Sequence, residues 1–400
     1  MEIKAKFLLS NAFMWTLLLF AVSVAFTLLS MVADDSEASL WGLHYSYYML
    51  PLFAVNWLVI FRYGSFIGWK SQSVIMLGWM LFVSLNVLAI SSNKAIDLVK
   101  VNLWGSAYFA SYCLSRLYPD FIYRLSKCFL VIFIIGFIIY IQGKVYQTHN
   151  AAMGIETSSN GIYCLLTVIP WLMFLHNKKL VLLLLSVAFI TTVFSNKRAA
   201  MLMVLFIMLP SFQHVLNEVE SKWVSRTIAF LFALGFVFVA YLVGEEFVGG
   251  RLIERFNTIE STGGSGRLEI WTRVWKAFGS LHWSEQLMGH GHYTVRSLGV
   301  ASAAHNDFLD VLYDYGILGL ILYVILHIYF LYRMCKLYTK KSDYFIPYTC
   351  MWMIFFVMSM VSILMVQQRY LIYMAVFWGA IEGDIYSREL YKEVRKQIVP

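Results

Sequence analysis

Runs of about twenty apolar residues, separated by short polar segments, dominate the chain. A helix of roughly 20 apolar residues crosses the hydrocarbon core of a bilayer, so each run is a candidate transmembrane helix. The predicted fold class is therefore an all-α polytopic membrane protein. About twelve spans are expected, centred near residues 22, 52, 82, 105, 133, 168, 187, 206, 236, 324, 355 and 377.

The run near residue 105, VNLWGSAYFASYCLSRL, is the weakest candidate because Ser, Tyr and Gly interrupt it. The basic residues supply a second criterion, since cytoplasmic connections of membrane proteins are enriched in Lys and Arg. With twelve spans and both termini in the cytoplasm, most basic residues of the short connections fall on the inner side. Removing one span would scramble this distribution, so the charge pattern favours twelve.

One connection, on the outer side, is much longer than the others. Within it the segment RLEIWTRVWKAFGSLHW repeats apolar residues at helical spacing, namely Leu268, Trp271, Val274, Trp275 and Phe278. This pattern is typical of an amphipathic helix that lies in the membrane interface. A small soluble cap is the alternative. Connections of this length are uncommon unless they have a function.

The predicted organisation has four parts. Residues 1–243 contain transmembrane helices one to nine, 244–304 form the large periplasmic loop, 305–386 contain helices ten to twelve, and 387–400 are a cytoplasmic basic tail. The composition, 60% hydrophobic and 14% charged, lies outside the range of soluble domains. The net charge of +8 therefore does not indicate a nucleic-acid partner.

No metal or other cofactor is expected. The sequence lacks a DxD pair, an HExxH motif, a CxxC pair and a P-loop lysine motif. The five cysteines form no close pairs and lie mostly in or beside apolar runs, which argues against a disulfide framework, a zinc site or a redox motif. They are Cys113, Cys128, Cys164, Cys335 and Cys350.

Three basic groups far apart in sequence are predicted to meet at the outer face. Arg198 lies in FSNKRAAML, Arg267 follows the flexible GGSG of the long loop, and His305 ends that loop. A lone Arg at a span end is usually an interfacial anchor, but several such groups on one face favour a cavity that binds a ligand. Arg369, in MVQQRYLIY, is a fourth candidate.

Two arginines and a histidine suit an anionic phosphate beside a hydroxyl group that must lose its proton. Guanidinium groups bind phosphate oxygens in pairs and do not deprotonate, so they stabilise charge on a phosphate leaving group without a metal. A histidine between them has its pKa lowered by the like charge, so it stays neutral and accepts a proton.

The motifs resemble those of the O-antigen ligase and O-antigen polymerase family. HNDFLDVLYDYGILG, residues 305–319, resembles the family pattern H-N-x9-G-x2-G. RAAML, residues 198–202, resembles its R-x3-L element, and GRL, residues 266–268, resembles a segment of its large periplasmic loop. Asn160 resembles a further family position more weakly. About twelve spans with a late outer loop also match the family plan.

The resemblance implies a C-type glycosyltransferase at the outer face of the bacterial inner membrane. Such enzymes transfer a glycan from undecaprenyl pyrophosphate to a hydroxyl group of a glycan or lipid A-core acceptor. The implied roles are pyrophosphate binding by Arg198 and Arg267, and activation of the acceptor hydroxyl by His305. Arg369 and Asn160 are further substrate-binding candidates. Membrane lipids and a chain-length regulator are the other implied partners.

The helix that begins after His305 has polar residues with two possible roles. Asp307, Asp310 and Asp314 share one helical face, which either is solvated or structural, turned to water or to the arginines of the loop, or binds sugar. Asp307 and Asp310 are the candidates for sugar binding. Asn306 either binds the acceptor or caps the helix. The two glycines of the motif favour close approach of another helix.

The motifs do not separate the branches of the family. The predicted function is a polymerase of lipid-linked repeat units for O-antigen, capsule or exopolysaccharide, and the alternative is an O-antigen ligase. A protein-directed oligosaccharyltransferase is a third branch. From another class, a transporter or flippase of lipid-linked sugars is possible, although such proteins usually consist of paired inverted halves, which this sequence does not show.

Overall fold

The computed structural model describes residues 39–40, 43–44, 49–67, 71–91, 93–118, 120–152, 161–195, 197–216, 223, 266–299, 303–365 and 368–398. The described residues form two compact units. The first belongs to Met1–Cys164 together with Gln367–Pro400, and the second belongs to Leu165–Val366.

Helices make up most of the described residues, as predicted for the fold class. Two short strands, β1 (Ser39–Leu40) and β2 (Leu43–His44), pair antiparallel, and two 3-10 helices span Gly64–Phe66 and Thr294–Leu298. The α-helices are α1 (Met49–Tyr63), α2 (Ser71–Ile90), α3 (Lys94–Leu117), α4 (Phe121–Ala152), α5 (Gly161–Leu172), α6 (Lys178–Phe194), α7 (Arg198–Leu216), α8 (Arg267–Ser280), α9 (Trp283–Met288), α10 (Asp307–Thr339), α11 (Phe345–Val361) and α12 (Gln368–Ile398).

The first unit is built around α3, which packs against α1, α2 and α12. A Cβ atom added to Gly379 of α12 would lie 2.1 Å from the carbonyl oxygen of Tyr108 in α3, so the two backbones approach closely. Polar side chains also join the helices, since Asn102 Nδ2 donates to Ser84 Oγ at 2.8 Å. The weakest predicted span is thus a buried central helix, which needs little lipid-facing surface.

In the second unit, α7 packs against α6 and α11, and α11 packs against α10. Helix α10 is broken at Gly316, whose φ of 70° and ψ of −170° are not helical. Residues 307–315 and 317–339 are therefore two helical segments. The first of them contacts α8 and α9, which come from the long loop of the sequence.

The described helices agree with a membrane protein. Three are long and apolar enough to span a bilayer: Ser73–Ile90, Phe121–Gln142 and Asp307–Thr339. Five shorter apolar helices coincide with further predicted spans: Met49–Tyr63, Gly161–Leu172, Leu180–Thr192, Ala199–Met208 and Phe345–Val361.

Helices α3 and α12 lie at the predicted spans near residues 105 and 377, while those near 22 and 236 lie outside the described residues. The number twelve stays a prediction, as does the orientation in the membrane. Helix α12 continues to Ile398 through most of the segment predicted as a tail.

Candidate functional site

His305 lies at the point where the long loop ends and α10 begins. Its φ of 54° is in the left-handed region, which histidine adopts more readily than most residues. On its N-terminal side, the backbone N–H of Ala304 donates to Asp310 Oδ1 at 2.8 Å. On its C-terminal side, Asn306 caps the first turn of α10. His305 is therefore held between two hydrogen-bonded neighbours.

Asn306 caps the helix, which was one of its two predicted roles. Its Oδ1 accepts the backbone N–H of Phe308 at 3.0 Å and of Leu309 at 3.3 Å. Such a cap satisfies N–H groups that have no partner within the helix. The side chain is 7% exposed. Its predicted role in substrate binding stays a prediction.

Arg267 is the first residue of α8, directly after Gly266, whose φ is 78°. The predicted amphipathic helix is present, and part of its apolar face packs onto the start of α10. Val274 is buried in a cluster with Val295, Ala304 and Tyr313. Two other apolar residues of the pattern, Leu268 and Trp275, are 59% and 61% exposed. Their predicted place in a membrane interface stays a prediction.

Trp271 connects α8 directly to the residue before the histidine. Its indole Nε1 donates to the carbonyl oxygen of Ala304 at 2.8 Å. Trp271 lies one helical turn after Arg267 and therefore on the same side of α8. This hydrogen bond fixes the helix that begins with Arg267 against the peptide that leads into His305.

The charges of two cations act on His305. Burial lowers the pKa of His305 from its ordinary value, and the positive charges of Arg267 and Lys197 lower it further. The neutral imidazole is therefore favoured, and burial contributes more to the lowered pKa than the like charge on which the prediction was based. The two cations form a setting that suits a phosphate group.

Lys197 was missed in the sequence, although it directly precedes Arg198 in FSNKRAAML. Arg198 begins α7, but its side chain lies outside the described residues. The same is true of the side chain of Arg369 and of Asn160 as a whole. The roles predicted for these three residues stay predictions.

The acidic stripe of α10 is buried. Asp307, Asp310 and Asp314 are at most 3% exposed. The prediction that they face water or the arginines of the loop is wrong, because their oxygens accept hydrogen bonds mainly from backbone N–H groups. Asp314 accepts from Tyr293 N at 2.7 Å and from Thr294 N at 2.9 Å.

Asp307 connects the start of α10 to the segment before α12. Its Oδ1 accepts Met365 N at 3.1 Å, and its Oδ2 accepts Tyr323 Oη at 3.2 Å. The aspartates thus tie three chain segments to one helix, which supports the structural alternative. Asp310 Oδ2 has no hydrogen-bond partner among the described residues. Sugar binding by Asp307 or Asp310 stays a prediction.

Gly316 makes the close approach that was predicted, but through a break in the helix. A Cβ atom there would lie 2.4 Å from the carbonyl oxygen of Leu287 in α9. The break frees the carbonyl groups of Tyr313 and Asp314, which accept His290 N at 3.0 Å and Gly291 N at 2.9 Å. The segment after α9 therefore replaces hydrogen bonds that an unbroken helix would make.

The H-N-x9-G spacing now has a physical account. Asn306 caps the helical segment, nine residues follow, and Gly316 ends it with a backbone conformation that is essentially restricted to glycine. The motif thus specifies one short helix, with the histidine immediately before its start and the loop docked at its end.

A comparison with known families found a match over part of the chain. Residues 180–324 match the family described as O-antigen ligase. The matched segment runs from α6 into α10 and includes Arg198, Arg267, His305 and Gly316. No curated protein shows a significant match to the chain. The match over residues 180–324 supports the resemblance to the O-antigen ligase and polymerase family found in the sequence.

Proposed function

We propose that the protein is a membrane glycosyltransferase that polymerises oligosaccharide repeat units linked to undecaprenyl pyrophosphate. The observation on which the proposal rests is the docking of α8, which begins with Arg267, against the peptide that leads into His305. The charges of Arg267 and Lys197 act together with burial to favour the neutral imidazole. A neutral base next to fixed positive charge is what transfer from a pyrophosphate to a hydroxyl group requires. The active site would face the periplasm.

In the proposed reaction, His305 accepts the proton of the acceptor hydroxyl group. The hydroxyl oxygen forms a bond to the anomeric carbon of the donor, and the bond from that carbon to the pyrophosphate oxygen breaks. Undecaprenyl pyrophosphate leaves with the electron pair, and its charge is stabilised by Arg267 and Arg198. Lys197 contributes a further positive charge. No metal is required by this scheme.

A ligase is the second candidate, and the description of the matching family favours it. A ligase uses the same donor and the same site but joins the glycan to a lipid A-core. The polymerase is preferred because HNDFLDVLYDYGILG resembles that branch most and the long loop is of modest length in the sequence. The acceptor alone distinguishes the two.

The test is reconstitution of the full chain in liposomes with a lipid-linked repeat unit, with and without a lipid A-core acceptor, in EDTA. A glycan ladder from the repeat unit alone is expected, together with release of undecaprenyl pyrophosphate. Product that forms only when the core is supplied would mean a ligase. Movement of the substrate across the bilayer without a new glycosidic bond would mean a transporter and would refute the proposal.

A further inference from the structure

We infer that Trp271 and Asp310 are positioning residues that hold the Ala304–His305 peptide and thereby set the place of His305 relative to Arg267. The inference rests on the proposed function, since it concerns how the proposed base and phosphate ligand are kept together. Neither side chain needs to touch a substrate for this role.

The first observation is that Ala304 is held at both of its backbone groups. Asp310 Oδ1 accepts its N–H at 2.8 Å, and Trp271 Nε1 donates to its carbonyl oxygen at 2.8 Å. The carbonyl belongs to the peptide bond that leads into His305. The φ angle of His305 describes rotation about its N–Cα bond relative to this peptide, and it has the uncommon value of 54°.

The second observation is that the next residue is also fixed. The carbonyl oxygen of Asn306 accepts Leu309 N at 3.1 Å and Asp310 N at 3.0 Å, and its side chain caps the same helix. The positive φ of His305 is thus determined from both sides. A backbone in a sparsely populated region persists only where its surroundings determine it in this way.

The third observation is that the two positioning residues come from the elements that supply the charged groups. Trp271 lies one turn after Arg267 on α8, and Asp310 lies one turn after Asn306 on α10. Ala304 is fully buried between them, in the cluster with Val274 and Tyr313. The Ala304 peptide therefore links α8, which begins with Arg267, to the start of α10, which His305 precedes.

The expected effect follows from the geometry that transfer needs. Small displacements of a reacting group reduce the rate more than they reduce binding of the substrate. Loss of the Trp271 hydrogen bond lets the Ala304–His305 peptide rotate, whereas Arg267 remains able to bind phosphate. The turnover number, kcat, should fall, and KM for the donor should change little.

The first experiment compares Trp271→Phe with Trp275→Phe in the full chain. Phenylalanine keeps an aromatic ring but removes the indole N–H. Trp275 is the matched control, because it lies one turn further along α8 and is 61% exposed. We expect Trp271→Phe to lower kcat by about tenfold with KM within about twofold, and Trp275→Phe to change neither. Equal kinetics of both variants would overturn the role of Trp271.

The second experiment separates positioning by Asp310 from direct action of its charge on a substrate. Asp310→Asn retains an oxygen that can accept the Ala304 N–H, whereas Asp310→Ala removes it. We expect the asparagine variant to keep most of its turnover per folded molecule and the alanine variant to lose it. An asparagine variant as inactive as the alanine variant would overturn positioning, because the negative charge itself would then be needed.

A third measurement does not depend on turnover. Histidine labelled with 13C allows the His305 ring to be titrated by NMR, with the signal assigned by its loss in His305→Gln. In Trp271→Phe the His305 pKa should rise towards its ordinary value, because the ring becomes more exposed to water and moves away from the charges of Arg267 and Lys197. In Trp275→Phe it should not change.

An unchanged His305 titration in Trp271→Phe would overturn the inference even if the variant were less stable. The proposed function fails separately, if the wild-type protein forms no glycosidic bond. In that case the titration still decides whether Trp271 sets the environment of His305.

Discussion

Helix α3 and the segment from Ala304 to Gly316 both contain polar residues that interrupt an apolar pattern, and most of each is buried. Their polar groups have different partners. In α3, Ser106 Oγ donates to the carbonyl oxygen of Leu103 at 2.8 Å, and Ser111 Oγ donates to that of Tyr108 at 3.0 Å. Ser106 Oγ also accepts Asn56 Nδ2 of α1 at 3.2 Å, and Ser115 Oγ donates to the carbonyl oxygen of Ala380 in α12 at 2.6 Å. These neutral polar groups therefore bond within α3 or to the helices packed against it.

In the segment 304–316 two carboxylates accept hydrogen bonds from distant parts of the chain. Asp307 accepts from Met365, which is 58 residues away, and Asp314 accepts from Tyr293, which is 21 residues away. Each carboxylate therefore specifies where another segment lies. A buried neutral side chain that bonds to its own or a neighbouring helix thus marks packing, whereas a buried carboxylate that accepts backbone N–H groups of connecting segments marks a constructed site.

The largest expected effect tests whether the second region is a site at all. His305→Gln should lower transfer by about 10²–10⁴-fold, because glutamine cannot accept the proton of the acceptor. Its melting temperature should stay close to that of the wild type. Reconstituted transfer and thermal unfolding are the measurements. His176→Gln, at an exposed position in the connection between α5 and α6, is the control.

If His305→Gln lost transfer only in proportion to a loss of folded protein, the segment would be structural, like α3. The contrast between the two regions would then disappear.

The next effect tests the break at Gly316. Gly316→Ala introduces a Cβ atom 2.4 Å from the carbonyl oxygen of Leu287, in a conformation that alanine does not adopt without strain. We expect a loss of roughly 3 kcal/mol or more of unfolding free energy, together with loss of transfer. Gly279→Ala in α8 is the control, since no atom lies within 4 Å of its added Cβ. Equal stability of the two variants would contradict the break as a requirement of the fold.

Much of this architecture follows from local pattern. The apolar period of RLEIWTRVWKAFGS predicts α8, and the motif of residues 305–319 predicts a helix that starts after His305. Arg267 and His305 were predicted to share a site because the predicted topology puts both on the outer side of the membrane. These inferences need only sequence spacing, helix periodicity and the length of a span.

What could not be predicted depends on contacts between remote segments. Asp310 can be buried because its carboxylate accepts a hydrogen bond from the N–H of Ala304. The sequence alone does not show that these two groups meet. The break at Gly316 requires the segment after α9 to replace its hydrogen bonds. Lys197 was overlooked because its neighbour Arg198 matched the motif, although its charge near a predicted phosphate site was a usable signal.

A smaller effect tests the packing role of α3. Gly379→Ala would place a Cβ atom 2.1 Å from the carbonyl oxygen of Tyr108. We expect the unfolding free energy to fall by about 1–3 kcal/mol as α12 is pushed from α3, with transfer per folded molecule unchanged. Denaturant unfolding and reconstituted transfer measure the two quantities. Gly78→Ala in α2, where the added Cβ meets nothing within 4 Å, is the control. Loss of transfer in a fully stable Gly379→Ala variant would assign α12 a role beyond packing.

The smallest effect separates local from remote hydrogen bonds directly. Ser111→Ala removes a hydroxyl group that only returns to its own helix, so we expect a loss below about 1 kcal/mol. Asp314→Asn turns an NH2 group towards one of the backbone N–H donors of Tyr293 and Thr294, and should cost about 1–3 kcal/mol. The two unfolding free energies are measured side by side. If Ser111→Ala cost as much as Asp314→Asn, the partner of a buried polar group would not reveal its role, and α3 would need a function of its own.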